Sequence, residues 1–219
     1  MRPRKIDYVV FDLGGVLVRL GGVPWLREFA RAKDDDVTME RWLLSSWVRS
    51  FETGECGAED FAVGLVSDWG LEMGPEAFLE KFKVFPERLF EGALELTREA
   101  RAWRPVACLS NTNALHWDRI SGFGLGTAFD STFLSHETRL VKPDREAFDH
   151  VVDKLGVPAE HIVFLDDNLI NVSAAQAVGL AAFHVHGPEE ARSVLLGLGM
   201  PGQPLGTREG AEGLDAVSG

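Results

Sequence analysis

The sequence predicts an α/β fold, a doubly wound parallel sheet into which an all-helical cap is inserted. Four short apolar runs rich in Val, Ile, Phe or Leu indicate strands: Tyr8 to Phe11, Val106 to Leu109, Ile162 to Leu165 and Ala181 to Val185. Continuous rather than alternating apolarity is typical of central strands in a parallel sheet. A fifth, less apolar run from Ser131 to Leu134 fits a strand nearer an edge. Alternation of such strands with helices over short connections favours right-handed crossovers.

Three helices are predicted between or after these strands. The segment from Glu91 to Trp103 carries apolar residues at helical spacing. The segment from Pro143 to Leu155 begins with proline, which suits the first position of a helix. A third segment, Val172 to Val178, is followed by Gly179, a common helix terminator. Each helix therefore links two strands of the sheet or borders one.

The block from 23 to 91 breaks this alternation. It contains four tryptophans (Trp25, Trp42, Trp47 and Trp69) and stretches such as Met39 to Phe51 that fit amphipathic helices. We predict no strand there. The chain is accordingly divided into a core of residues 1–22 and 92–200, a helical cap of residues 23–91, and a loosely ordered tail of residues 201–219 that is rich in Gly, Pro and Glu.

Composition excludes several classes of function. The formal net charge is −12 and Lys/Arg clusters are absent, so we expect no nucleic-acid partner. No apolar run reaches the roughly 18 residues of a membrane helix, and no signal segment is recognised, so we expect no membrane partner and a cytoplasmic location. The two cysteines, Cys56 and Cys108, do not suggest a disulfide framework.

Polar residues stand where the predicted strands end. Asp12 ends the first strand, Ser110-Asn111 the second and Asp166-Asp167 the fourth, and Lys142 lies in a loop after the possible edge strand. In an open parallel sheet, ligands bind beyond the carboxyl ends of the strands. A carboxylate nucleophile, two more carboxylates for Mg²⁺, a hydroxyl and an ammonium together suit phosphoryl transfer.

Each of these residues also has a purely structural interpretation. Asp12 fits a turn before Gly14, and Ser110 and Asp166-Asp167 are good helix N-caps. Lys142 alone would be an ordinary surface lysine. Because all of them stand at strand ends or in the loops that follow, the functional interpretation is favoured.

The same segments resemble the four ordered motifs of the haloacid-dehalogenase-like superfamily. They are Phe11-Asp12-Leu13-Gly14-Gly15-Val16-Leu17, Leu109-Ser110-Asn111-Thr112-Asn113, Val141-Lys142-Pro143 and Phe164-Leu165-Asp166-Asp167-Asn168. The segment Phe51-Glu52-Thr53-Gly54-Glu55 also resembles a cap segment of that superfamily. Within it, the sequence is similar to the sugar-phosphatase branch typified by bacterial α-glucose-1-phosphate phosphatases.

The resemblance implies a role for each matching residue. Asp12 would be the nucleophile and a metal ligand. The metal would be Mg²⁺, held also by the carbonyl of Gly14, by Asp167 and, directly or through water, by Asp166. The phosphoryl group would be held by Ser110 and Lys142, with a contact from Asn111, and Asn171 would brace the metal loop. The implied substrate is a small phosphorylated metabolite, for which a sugar phosphate is one example.

One position departs from the family pattern. Most phosphatases of the superfamily carry an acid/base Asp two residues after the nucleophile, where this chain has Gly14. His116 or water could replace that group, or the substrates could have good leaving groups. By itself, His116 is better explained as a histidine on the surface of a helix. The glycine also keeps two alternatives open: a 2-haloacid dehalogenase and a non-catalytic metal- or phosphate-binding module. The acidic pair Asp166-Asp167 favours a phosphatase over a dehalogenase, because expelling a halide needs no Mg²⁺ site. Arg19 and Trp25, near the cap hinge that we predict at Gly21-Gly22, are candidates for contacting the leaving group.

Overall fold

The computed structural model describes residues 5–21, 27, 41–42 and 44–202. Five parallel strands form one sheet in the order β5-β4-β1-β6-β7. The strands are β1 (Tyr8–Phe11), β4 (Val106–Ser110), β5 (Ser131–Leu134), β6 (Ile162–Asp166) and β7 (Ala181–His184). The predicted fold class is confirmed, and the less apolar β5 lies at an edge as expected.

Helices cover both faces of the sheet, which explains why its strands are apolar without alternation. On one face, Val9 and Phe11 of β1 lie in a core with residues of α4 (Ala93–Trp103) and α9 (Gly187–Gly197). On the other face, Val10 lies in a core with residues of α7 (Arg145–Leu155) and α8 (Leu169–Val178). Both β4 and β6 are buried over their whole length.

The remaining core elements are α5 (Ala114–Gly122), α6 (Ser135–Thr138) and two single 3₁₀ turns, Leu125–Thr127 and Ala159–His161.

A second, smaller core forms from the block predicted as a cap. Its described helices are α1 (Ser46–Glu52), α2 (Ala58–Trp69) and α3 (Pro75–Phe82). Phenylalanines from all three helices pack together, with Phe51 stacked on Phe61 at 4.4 Å between ring centroids. Tryptophans in amphipathic helices are expected to be core residues. This holds for Trp69, which is buried, and for Trp42, which packs against it, but not for Trp47, which is 36% exposed.

The expectation that residues 23–91 contain no strand was wrong at their C-terminal end. Pro86–Leu89 form β3, which pairs antiparallel with β2 (Val18–Leu20) just after the first motif. The pairing was not visible in the sequence because both strands are short and half exposed, with no apolar run. Two antiparallel strands, rather than a simple hinge, thus join the two cores, and the exact core and cap boundaries stay a prediction.

Four features named in the sequence analysis lie wholly or partly outside the described residues. Trp25, Gly22 and the tail beyond residue 202 lie outside them, as does part of the segment from Met39 to Phe51. Among the described helices, none combines the length and apolar character needed to cross a membrane. Cys56 and Cys108 are free thiols, and burial raises the pKa of Cys108 to about 12.

Candidate active site

The carboxyl ends of β4, β1 and β6 meet at one edge of the sheet because these strands are neighbours. Asp12 follows β1, Ser110 ends β4 and Asp166 ends β6. Asp12, Asp166 and Asp167 each offer a carboxylate oxygen, and these three oxygens lie within 4.8 Å of one another. The sequence prediction that these side chains converge therefore agrees with the structure.

Lys142 stands between two of these carboxylates. Its Nζ atom lies 2.8 Å from Oδ1 of Asp12 and 2.7 Å from Oδ2 of Asp166, and its side chain is only 2% exposed. Burial by itself would lower the pKa of Lys142, but the two carboxylates outweigh it and raise that pKa. The lysine is therefore a fixed positive charge beside Asp12.

The Asn111 side chain holds the backbone of Lys142. Its Nδ2 donates to the Lys142 carbonyl at 2.8 Å, and its Oδ1 accepts from the Lys142 amide at 2.8 Å. Because both ends of the Asn111 amide take part, the residue positions the lysine loop against the end of β4. Its predicted contact with a phosphoryl group stays a prediction.

Asp166 is fully buried and accepts hydrogen bonds on both oxygens. Oδ1 accepts from the Asn168 amide at 2.8 Å, Oδ2 accepts from Lys142, and the Asn171 amide donates to both at 3.1 Å. Asp166 thus serves first as an anchor for Lys142. The predicted bracing of this loop by Asn171 takes the form of this bidentate contact.

Asp12 is enclosed among charges. Burial, helped by the charges of Asp166 and Asp167 and opposed by Lys142, raises the pKa of Asp12 to about 7. Burial and Asp166 likewise raise the pKa of Asp167. Crowded carboxylates of this kind are stabilised in their ionised form by a cation placed among them.

The residues present fit a magnesium ion. Asp12, Asp167 and Gly14 line one cavity, and oxygen donors are the ligands that Mg²⁺ prefers. Gly15, at φ +68°, leaves room for Asp167: a Cβ atom there would stand 1.8 Å from Oδ2 of that residue. Since Asp166 already accepts four hydrogen bonds, Asp12 and Asp167 are the better placed of the three carboxylates to hold an ion.

Ser110 is buried and lines the same cavity. The helix expected directly after it begins later, at Ala114, with Asn113 as its N-cap accepting from the His116 amide. The intervening turn is fixed by Ser135, whose hydroxyl accepts from the Thr112 amide and donates to the Thr112 carbonyl. The helix begins at Ala114 rather than directly after Ser110 because Asn113, and not Ser110, supplies the capping oxygen.

The cavity extends from the strand ends to the cap. It has a volume of about 420 Å³, within the size range of small-molecule sites, and Glu52 of α1 lines it together with Asp12 and Lys142. An adjoining cavity of about 220 Å³ shares Glu52, Asn111, Lys142, Asn168 and Asn171 with it. The sequence places Glu52 in a segment resembling a cap segment but indicates no role for it. Only the fold shows that α1 ends at this cavity.

Two contacts fix α1 above the site. Arg49 forms an ion pair with Asp144, two residues beyond Lys142. Gly54, at φ +69°, lets the chain pass so close to the core that a Cβ atom there would stand 2.7 Å from the His136 carbonyl oxygen. Glu52 lies between these two anchors.

The structure corrects the interpretation of His116 and limits that of Arg19. His116 is not on the helix surface: its ring packs 4.2 Å from Phe82 between centroids, and its Nε2 lies 2.8 Å from the Phe82 carbonyl. Burial lowers the pKa of His116 to about 4. Neither cavity is lined by His116 or by Arg19, whose half-exposed side chain lies near Glu87. Trp25 lies outside the described residues.

Apolar side chains surround the mouth of the site. Leu20, Leu44, Leu169 and Ile170 are 49%, 78%, 60% and 60% exposed, and all four line one of the two cavities. They make up half of the large hydrophobic residues that are exposed in the described part of the chain. Exposed apolar residues gathered around a cleft mark a surface that binds an apolar group.

Comparisons with known proteins agree with this site. The family model of haloacid dehalogenase-like hydrolases matches residues 6–179. A sesquiterpene phosphatase of Aspergillus oryzae is 42% identical over 188 residues, which cover 80% of this chain and 88% of that protein. A D-ribitol-5-phosphate phosphatase of Bacteroides thetaiotaomicron is 25% identical over 187 residues, covering 81% of this chain and 91% of that protein. The crystal structure of an enzyme of the same family from that bacterium, in complex with magnesium and inorganic phosphate, has a TM-score of 0.67 and 26% identity over 82% of this chain and 93% of that one.

Proposed function

Because the chain belongs to the haloacid dehalogenase-like hydrolase family, we propose that it is a magnesium-dependent phosphatase acting through an aspartyl-phosphate on Asp12. The observation that carries this proposal is the placement of Lys142 between Asp12 and Asp166, with Asp167 beside them. A buried ammonium next to a carboxylate nucleophile is suited to an incoming phosphoryl group. Relatives named as phosphatases support the same reaction.

Different residues would bind the metal ion and the phosphoryl group of the substrate. Asp12, Asp167 and the Gly14 carbonyl, with help from Asp166, would hold Mg²⁺, which would supply positive charge to offset the negative charge of the phosphoryl oxygens. Lys142 and the hydroxyl of Ser110 bind the transferring group from the protein side. Asn111 and Asn171 keep Lys142 and Asp166 in position.

The reaction then proceeds in two displacements at phosphorus. An oxygen of Asp12 attacks, the bond to the leaving alcohol breaks, and the enzyme holds an acyl phosphate. Water then attacks that phosphorus, the bond to Asp12 breaks, and phosphate leaves. Asp12 and Asp166 keep Lys142 protonated at the start, and Asp166 remains its carboxylate partner once Asp12 carries the phosphoryl group.

The family name leaves a carbon–halogen displacement as the alternative. That reaction needs a carboxylate nucleophile, but it expels a halide and uses no acidic pair. In this chain Asp167 reaches the cavity beside Asp12, in space that Gly15 leaves open. This feature favours the phosphatase, and a module that only binds phosphate would not need the nucleophile at all.

The proposed substrate is a small phosphorylated metabolite. Its phosphate would occupy the polar end of the cavity near Lys142, and its leaving group would extend toward Leu20, Leu169 and Ile170. This apolar mouth favours a leaving group with a hydrocarbon part, in keeping with the relative named for a sesquiterpene. A sugar phosphate, the example suggested by the sequence, and a polyol phosphate belong in the same test.

The test is phosphate release from a panel of alkyl, isoprenoid, sugar and polyol phosphates, with and without Mg²⁺. We expect release that is lost in Asp12→Asn and after EDTA. If no compound of the panel released phosphate and 2-haloacids released halide, the protein would instead be a dehalogenase. Thermal stabilisation by Mg²⁺ with beryllofluoride, a mimic of the aspartyl-phosphate, gives a second readout that needs no substrate.

A further inference from the structure

We propose that Glu52, on the cap helix α1, is the residue that gives a proton to the leaving group and takes one from the attacking water. The inference rests on the proposed phosphatase activity and adds a catalytic residue to it. Gly14, two residues after the nucleophile, has no side chain that could transfer a proton. The proposal assigns this proton transfer to a residue of the cap.

The position at Gly14 carries no functional group, and the Leu20 side chain lies against it. A Cβ atom on Gly14 would stand 2.9 Å from Cδ1 of Leu20, a residue of β2. The leucine side chain thus fills the space into which a longer side chain at this position would extend. An acid/base group must therefore come from another wall of the cavity.

Among the described residues, the other ionisable side chains that line the two cavities are already engaged. Asp12, Asp167 and Lys142 form the nucleophile and charge cluster. Arg49 forms an ion pair with Asp144, which raises the pKa of Arg49 above its usual value. Its guanidinium therefore stays protonated and does not exchange a proton. The remaining one, His184, lies on the metal-loop side, with its Nε2 2.9 Å from the Asp167 carbonyl.

Glu52 is positioned for the task. It is the last residue of α1, lines both cavities, and makes no side-chain hydrogen bond or ion pair within the described residues. The helix end is held by the ion pair of Arg49 and by the close approach of Gly54 to His136. Its carboxyl group is therefore presented to the cavity on a fixed support.

The electrostatic surroundings suit reversible protonation. Burial raises the pKa of Glu52 to about 7, and the positive charge of Lys142 opposes this only in part. The charged groups facing the same space are Lys142, Asp12 and Asp167 from the core and Arg49 from its own helix. A carboxyl group whose pKa lies near neutrality can serve as acid in one step and base in the next.

Glu52 gives up its proton in the first displacement and regains one in the second. As an Asp12 oxygen bonds to phosphorus, the bond to the leaving oxygen breaks and that oxygen takes the Glu52 proton, which leaves an alcohol and a Glu52 carboxylate. The carboxylate then takes a proton from water as the water oxygen bonds to phosphorus and the bond to Asp12 breaks. Phosphate leaves, and Glu52 is protonated again.

The test compares leaving groups in Glu52→Gln. For hexyl phosphate, whose alkoxide is a poor leaving group, we expect kcat/KM to fall about 10²–10⁴-fold. For para-nitrophenyl phosphate, which expels a stable anion, kcat/KM should change less than about threefold, an outcome that also shows the variant to be folded. A burst of one equivalent of nitrophenolate followed by slow turnover should appear, because the second step lacks its base. Glu55→Gln, an exposed neighbour, is the matched control and should match the parent.

Other outcomes overturn the assignment. An equal loss for both substrates, no loss for either, or a change confined to KM would show that Glu52 only supports or recognises the substrate. Failure of the proposed function is seen separately, because the parent would then show no release that depends on Asp12. In that case both proposals are rejected.

Discussion

The Nζ atom of Lys142 lies 2.8 Å from Oδ1 of Asp12, and both side chains are almost completely enclosed. The lysine comes from a loop 130 residues further along the chain, held there by Asn111 and Asp166. A buried ammonium with two carboxylate partners links the stability of the fold to the chemistry of the site.

Removing that ammonium should cost both stability and activity. Lys142→Met leaves Asp12 and Asp166 facing each other without a counter-charge, and we expect a loss of about 3 kcal/mol in the free energy of unfolding. Urea denaturation measures it. The double variant Lys142→Met/Asp166→Asn should recover part of the stability but no activity. Equal stability of the parent and the single variant would contradict the interpretation of this contact.

Asn171 should act through Asp166. Asn171→Ala removes the two 3.1 Å contacts to that carboxylate. We expect the Mg²⁺ concentration for half-maximal activity to rise about 10–100-fold, because supporting contacts of this kind tune ligand geometry. Ser173→Ala, an exposed position on the same helix, is the control. A drop in kcat at unchanged Mg²⁺ dependence would argue against this role.

Gly15 should be needed for metal binding. Gly15→Ala combines the backbone cost of φ +68° with a Cβ atom 1.8 Å from Oδ2 of Asp167. Gly156→Ala shares the backbone cost, at φ +66°, but meets no atom within 4 Å. We expect both variants to lose roughly 1–2 kcal/mol, while only Gly15→Ala loses the thermal stabilisation by Mg²⁺. Identical Mg²⁺ shifts in the two variants would show that Asp167 adapts.

The space at Gly14 offers a rescue experiment. From the sequence, we predict that Gly14→Asp speeds alkyl phosphate hydrolysis more than aryl phosphate hydrolysis. The structure adds that the end of the Leu20 side chain must move aside, or be shortened, to admit the new side chain. In the Glu52→Gln background, Gly14→Asp/Leu20→Ala should raise kcat/KM for hexyl phosphate by about tenfold or more, within the range of general acid catalysis. Leu20→Ala alone should not.

His116 should make the fold sensitive to acid. Burial depresses its pKa in the folded state from 6.5 to about 4, so the stability it contributes is present above pH 6.5 and lost as the pH falls toward 4. By linkage, the loss is about 3 kcal/mol over that window. The difference in unfolding free energy between the parent and His116→Gln should therefore shrink as the pH falls through that window. A constant difference in urea titrations from pH 7 to pH 4 would contradict the assignment.

The sequence by itself determined the fold class and the convergence of Asp12, Ser110 and Asp166. Apolar strands with helices between them must form a parallel sheet, and polar residues at the ends of neighbouring strands must then meet at one edge. The order of the four sequence motifs extended this predicted convergence to Lys142 and Asp167.

Only the tertiary structure decided where Glu52, Leu20 and His116 lie relative to the site. Their roles depend on how the cap helices and the β2–β3 pair pack against the core, which involves residues distant in sequence and no local pattern. Burial and charge at a side chain are set by those distant neighbours. A cap glutamate facing the site, a leucine filling the space at Gly14 and an enclosed histidine therefore appear only once the chain has folded.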